Sequence, residues 1–352
     1  MDVSLVPFDP PTASREEWVR FHTFRRLRHE EADPGDPLTE DSAEETWMRR
    51  GDPETEEIRF AAIQSGKPEE VIGWLHFSVP REGSPMYATM EKEVRVIVQV
   101  LQPYRRRGVG RMLLVKAAEL ARECGKSLVI GGTAEADGFA FVEAIGAQVA
   151  QRGREGRLYM DQVDWEMVER WAEEGPRRSP STTLQWLGDH VPDDIVEEYC
   201  EVLTESMNEA PRDDLEIGDI VITPEFIRHW EEKIKESGGR VLDVISREGD
   251  GAISGLTVMG YRAGEKTMIH QQITGVRPLY RGRGLGKWLK AANLLRVREE
   301  LPQITVVLTD NATTNAAMLA INERLGFQKH RDSITAQMSL EALDQYMDRG
   351  GD

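Results

Sequence analysis

Residues 278–290 read PLYRGRGLGKWLK: three glycines and four cations set between an apolar strand that ends at Val276 and an apolar helical stretch. A strand end followed by Arg-x-x-Gly-x-Gly and a helix start aims consecutive backbone amides and the positive end of the helix dipole at one point. Glycines without side chains let an anion approach that point closely. The ligand implied is a phosphate or pyrophosphate. The same arrangement stands at 103–114, PYRRRGVGRMLL, so the chain carries the device twice.

Other glycine motifs fit less well. A P-loop needs Gly-x-x-x-x-Gly-Lys-Ser/Thr, but Gly282 and Gly286 are one residue too close and Trp288 occupies the place of the magnesium-binding hydroxyl. A dinucleotide fingerprint needs a third glycine where Leu113 and Leu289 stand. A turn that only caps a helix would explain one copy, not two in matching contexts.

Gly108 and Gly110 lie 176 residues before Gly284 and Gly286, which is half of the 352-residue chain. Ordered matches along both halves indicate an internal duplication, each half reading β-α-α-β-β-β-α-β-α-β. The expected organisation is an N-terminal domain over 1–165, a linker over 166–181, where Gly, Pro and Ser interrupt the apolar pattern, and a C-terminal domain over 182–352. A chain of this length exceeds what one core usually serves.

Composition narrows the partners. A formal charge of −18 and a sequence pI near 5.0 lack the basic footprint of a nucleic-acid or anionic-membrane binder. Cys124 and Cys200 are too few for a disulfide framework or a zinc cluster, and no metal is expected. The absence of a long apolar run or a signal-like start points to a cytoplasmic protein.

Arg-x-x-Gly-x-Gly after a Val-x-Pro strand end resembles the acyl-CoA signature of the GNAT family of N-acetyltransferases, and VRPLYRGRGLG is a close instance. NAAMLAINERLGF is similar to that family's later helix. The resemblance covers both halves. It implies an α/β (α+β) fold of two tandem GNAT domains, each a mixed, mostly antiparallel sheet flanked by helices, with acetyl-CoA as acyl donor and a small-molecule amine as acceptor. Carried over by position, Thr274, Gly275 and Val276 would bind pantetheine. Arg281, Gly282, Arg283, Gly284, Leu285, Gly286 and Lys287 would hold the pyrophosphate, and Asn315 would touch the CoA arm. The N-terminal counterparts are Val98, Gln99 and Val100, then Arg105, Arg106, Arg107, Gly108, Val109, Gly110 and Arg111. There the proline is displaced to Pro103, and Glu135 stands in place of Asn315.

The chemistry implied is direct attack of an amine on a thioester, which calls for a base, an oxyanion donor such as a strand amide near Val276, and preferably an acid. The family's tyrosine acid has no counterpart: Asn322 and Val142 occupy that place, and an amide donates a hydrogen bond but no proton. His270, on the strand that feeds the motif, is the base candidate, since its ordinary pKa suits proton removal near neutrality. These features favour the C-terminal half as catalytic. The connection carrying Glu209, Asp213, Asp214, Glu216 and Asp219 is expected over its acceptor entrance, its carboxylates either drawing a cationic amine or forming a solvated loop of an acidic chain. The alternative is a non-catalytic CoA-binding or scaffold protein.

Overall fold

The computed structural model describes residues 2–67, 70–265 and 267–348. Its strands are β1 (Val3–Pro7), β2 (Thr55–Gln64), β3 (Val71–Pro80), β4 (Glu93–Val100), β5 (Leu128–Thr133), β6 (Gln148–Tyr159), β7 (Thr183–Trp186), β8 (Arg240–Arg247), β9 (Ile253–Tyr261), β10 (Met268–Val276), β11 (Val306–Ala312) and β12 (Gln328–Ser339). The helices are α1 (Arg15–Ala32), α2 (Asp41–Arg50), α3 (Pro85–Thr89), α4 (Val109–Glu123), α5 (Ala136–Ile145), α6 (Trp165–Arg178), α7 (Val196–Asn208), α8 (Pro224–Glu236), α9 (Leu285–Glu300), α10 (Ala316–Leu325) and α11 (Leu340–Asp348).

Two compact units form, each from segments of both sequence halves. Unit 1 takes the chain up to Arg152, the short stretch Arg212–Asp219 and everything from Ser333 on; unit 2 takes Gly153–Pro211 and Ile220–Asp332. In unit 1, β1 to β4 form an antiparallel meander, β5 joins β4 in parallel, and the Ile334–Ser339 part of β12 runs antiparallel to β5. In unit 2, β7 to β10 form the meander, β11 joins β10 in parallel, and the Gly153–Tyr159 part of β6 runs antiparallel to β11. The closing strand of each sheet therefore comes from the opposite half of the sequence.

Local chemistry explains most of the elements. Ser14 caps α1 in a full capping box with Glu17, and Thr223 caps α8 with Pro224 at its first position. α4 turns Leu113, Ala117, Leu120 and Ala121 onto Leu75, Phe77 and Val94 of the unit 1 sheet. Burial of such side chains is worth about 1.5–3 kcal/mol each. α9 turns Ala291, Leu294 and Val297 onto Leu242, Met259, Ile269 and Val307 in unit 2.

The structure departs from the sequence pattern at several points. The stretch 166–181 is not an open linker: α6 runs to Arg178, burying Val168, Trp171 and Gly175. Gly175 looks like a breaker in the sequence, but a Cβ there would overlap the Trp288 indole of α9, so the glycine permits close helix packing. The runs QVAQR and GRLY join as one continuous strand, β6, and Met160–Gln162 form a short 3-10 turn after it. α7 has Ile195 at its N-cap with no side-chain cap, so neither Asp193 nor Asp194 plays that role. Of the acidic connection, Glu209 stays in unit 2, where it pairs with Arg281, while Arg212–Asp219 is built into unit 1. There the buried Glu93 carboxylate accepts the Gly218 N–H at 2.8 Å, Ala150 O accepts the Asp214 N–H, and Gln337 bonds both Asp214 O and the Glu216 N–H. No helix among the described residues is long and apolar enough to cross a membrane.

Candidate functional site

The parallel strands β10 and β11 pair only from Met268 to Gln271 with Val306 to Thr309. β10 then bulges between Gln271 and Ile273 and continues on β9, while β11 continues on β6. Gln271 fixes the bulge: its side-chain amide donates to Val258 O and Ile273 O, each at 2.9 Å. The strands therefore part, and Thr274, Gly275 and Val276 line the open side. Thr274 Oγ1 lies 2.8 Å from Thr257 Oγ1, and Gly275 lies under Ser206 of α7 with no room for a Cβ.

The glycine loop follows. A short 3-10 turn at Pro278–Tyr280 leads through Gly282 (φ +78°) and Gly284 (φ +85°), both left-handed, into α9 at Leu285. Nothing lies within 4 Å of a Cβ built on Gly282, and for Gly286 only ordinary contacts at 3.9 Å would arise. A bare backbone beside the first turn of a helix fits a pyrophosphate, and the strand gap leading to it fits an extended thioester arm. Asn315 caps α10, its Oδ1 accepting the Met318 N–H.

The loop arginines are committed inside the protein. Arg281 Nε donates to Val276 O at 2.9 Å, and its far end pairs with Glu209. Arg283 pairs with Glu248 at 3.0 Å and also donates to Thr182. Lys287 instead lies 5.3 Å from the Trp171 ring centre, its pKa lowered by desolvation and by Arg324 and Arg178.

Unit 1 has the same frame with different contents. β4 and β5 pair only over Glu93–Arg95, so Val98, Gln99 and Val100 are held by β3 alone. Arg105 Nε donates to Val100 O as Arg281 does to Val276 O. Gly108 (φ +84°) caps α4, which holds Val109, Gly110 and Arg111, but Arg106 (φ +59°) fills the left-handed place that Gly282 takes in unit 2. A side chain in that conformation costs about 1–2 kcal/mol. Arg105 also pairs with Glu31, Glu135 and Asp137, and Arg28 joins Glu31 and Glu135. Glu31 in addition accepts the Gln102 N–H. Arg107 is exposed, and Arg111 donates to Met347 O.

The register of the two sheets permits a position-by-position comparison. His270 pairs with Leu308, whose neighbour on β6 is Arg157; Arg95 pairs with Ile130, whose neighbour on β12 is Gln337. Two residues further on stand Asp310 opposite Glu155 in unit 2, and Gly132 opposite Thr335 in unit 1. Unit 2 thus has titratable groups where unit 1 has Arg95, a glycine and a threonine. His270 is exposed, with Glu265 at 3.7 Å. Asp310 was not found by sequence reasoning: no motif contains it, and only the sheet register sets it near His270, whose charge acts on its carboxyl. Asn322 is 3% exposed, its Nδ2 donating to Asn311 Oδ1 at 2.8 Å.

Residues 18–139 match the model of the acetyltransferase (GNAT) family. Comparison with curated protein sequences gives no match. Among solved structures, a tandem GNAT protein from the clavulanic acid biosynthesis pathway superposes with a TM-score of 0.76 at 24% identity, covering 96% of this chain and 99% of that one. A GCN5-related N-acetyltransferase from Sphaerobacter thermophilus superposes at 0.57 with 14% identity, covering 96% of both chains. A glucosamine N-acetyltransferase region of a fungal β-N-acetylglucosaminidase gives 0.63 at 11% identity, covering 96% of this chain and 38% of that chain. Two parted parallel strand pairs, each followed by a glycine loop and a helix, agree with these likenesses: residues 18–139 match the GNAT acetyltransferase family, and the chain as a whole has the tandem GNAT fold.

Proposed function

We propose that the chain transfers an acetyl group from acetyl-CoA to a primary amine of a small molecule, by direct attack in a ternary complex, and that unit 2 is the catalytic unit. The observation that carries this reading is the register comparison, in which unit 2 alone sets His270 and Asp310 beside the point where the parallel strands part. The pantetheine arm lies along Thr274 to Val276 and the pyrophosphate on the amides of Gly282 to Gly286. The amine nitrogen attacks the thioester carbonyl, a bond to carbon forms, and the oxyanion is met by a strand amide near Val276. His270 takes the amine proton as the C–S bond breaks and CoA thiolate leaves. Asn322 stands where a tyrosine acid would, but an amide has no proton to give and its Nδ2 donates to Asn311 Oδ1, so thiolate is protonated from water.

For unit 1 its own ion pairs favour a second reading. Glu31, Glu135 and Asp137 around Arg105 set negative charge beside the loop that would receive an anion, which suits a scaffold role.

The test is release of CoA from acetyl-CoA with a panel of amines. Turnover with at least one amine is expected. Gly284→Val removes most of it and Gly108→Val little, because both glycines are left-handed but only the first serves the working loop. Equal loss from the two substitutions, or none from either, overturns the assignment to unit 2. A His270→Ala variant with an unchanged rate and pH profile removes His270 as base.

A further inference from the structure

Three cations meet at the N-terminal end of α9 with no carboxylate at ion-pair distance among the described residues. The Arg178 guanidinium, at the end of α6, lies 3.3–3.4 Å from where a Gly284 Cβ would stand. Lys287 Nζ and Arg324 Cζ lie 5.3 Å and 5.6 Å from the centre of the same Trp171 ring. The neighbouring arginines differ: Arg277, Arg281 and Arg283 each have a glutamate partner. In a chain of net charge −18, these neighbouring cations repel one another: Arg324 and Arg178 both act against the charge on Lys287, and Glu174 offsets them only from beyond ion-pair distance. Their arrangement is held by packing, since Trp171 is buried and Gly175 brings α6 against Trp288. A cluster built in this way suits a multiply charged anion.

The pyrophosphate carries one charge on each phosphorus and is met by the loop amides. Coenzyme A carries a further group, a ribose 3′-phosphate monoester with a charge of about −1.5 to −2 near neutral pH. Resting on the acyl-CoA reading of unit 2, we propose that Arg178, Lys287 and Arg324 form the 3′-phosphate subsite and make the protein select CoA over CoA lacking that phosphate. Trp171 serves as the platform that holds Lys287 and Arg324 at the right height. Arg178 is the distinctive member, because it arrives from α6 rather than from the glycine motif or the helix that follows it.

The probes are CoA and 3′-dephospho-CoA, each titrated calorimetrically into the full chain. The unaltered protein is expected to bind CoA about tenfold or more tightly than dephospho-CoA, the scale of a charge-assisted phosphate contact. The double variant R178A/R324A, which changes two exposed side chains, loses that preference while its affinity for dephospho-CoA holds. R178K/R324K keeps part of the preference. Equal binding of both ligands by the unaltered protein overturns the proposal, as does a double variant that weakens both ligands alike, which would put the cluster on the pyrophosphate. Binding of neither ligand defeats instead the acyl-CoA reading of unit 2.

Discussion

Asp310 and Glu155 stand opposite one another across β11 and β6, and among the described residues only Glu155 has arginines of its own. Glu155 is 6% exposed and bonded by Arg157 at 3.2 Å and Arg331 at 2.6 Å. The Asp310 side chain reaches solvent, but its carboxyl is partly shielded. Desolvation and then the Glu155 carboxylate push its carboxyl above the ordinary range, with His270 and Arg331 pulling the other way. These two carboxylates therefore do different work.

Asp310→Asn is expected to raise the KM for the acceptor amine about tenfold, the loss of one charge-assisted contact, and to leave the KM for acetyl-CoA unchanged. If Asp310 holds the amine it does so in its ionised form, so its contribution to kcat/KM falls as pH drops through the raised pKa, and the Asn variant lacks that contribution. Glu155→Gln instead removes the carboxylate that Arg157 and Arg331 share and costs about 3 kcal/mol of stability. Steady-state kinetics on the first variant and denaturant unfolding on the second check this. An Asp310→Asn protein with unchanged amine KM removes Asp310 from the acceptor site.

Gly175→Ala tests the packing of α6 on α9. In a solvent-facing helix this substitution stabilises by about 1 kcal/mol. Here the added methyl meets the buried Trp288 indole, and overpacking costs about 1–3 kcal/mol. The variant should melt several degrees lower, and its preference for CoA over dephospho-CoA should shrink as Arg178 moves away from Gly284. A higher melting temperature would show that the contact yields freely.

The glycine loops and the meanders were legible in the sequence because their causes are local. Left-handed turns demand glycine at 282 and 284, and alternating or continuous apolar runs mark strands. What the sequence hid depends on partners far along the chain. Strand propensity in β6 and β12 does not say which sheet a strand closes. Gly175 and Pro176 look like loop residues until Trp288 supplies the surface that α6 packs on. The acidic stretch around Asp214 reads as a solvated loop, and its place is set by Glu93 and Gln337, more than 100 residues away on either side. Asp310 gains its meaning only from the strand register.

Two buried groups in unit 2 leave opposite marks on stability. Asp243 is 2% exposed and accepts a hydrogen bond from the Tyr199 hydroxyl; burial pushes its pKa from 3.8 to about 7. The folded protein then holds a proton that the unfolded chain has released, so the Asp243 contribution is full below pH 3.8 and is lost as pH rises to about 7. Lys290 is 1% exposed, its Nζ without a hydrogen-bond partner among the described residues and 5.8 Å from the Phe327 ring centre; burial lowers its pKa from 10.5 to about 7. Its contribution is full above pH 10.5 and is lost as pH falls to about 7. Denaturant midpoints measured across this range should therefore fall on the acid side and rise on the alkaline side of a minimum near pH 7. Asp243→Asn, which keeps an acceptor for Tyr199, removes the acid limb. Lys290→Met removes the alkaline limb and stabilises at neutral pH by about 1–3 kcal/mol, because no buried ammonium must be desolvated or discharged. A Lys290→Met protein that is less stable at pH 7 and keeps the alkaline rise would mean that the amine has a partner that the fold depends on.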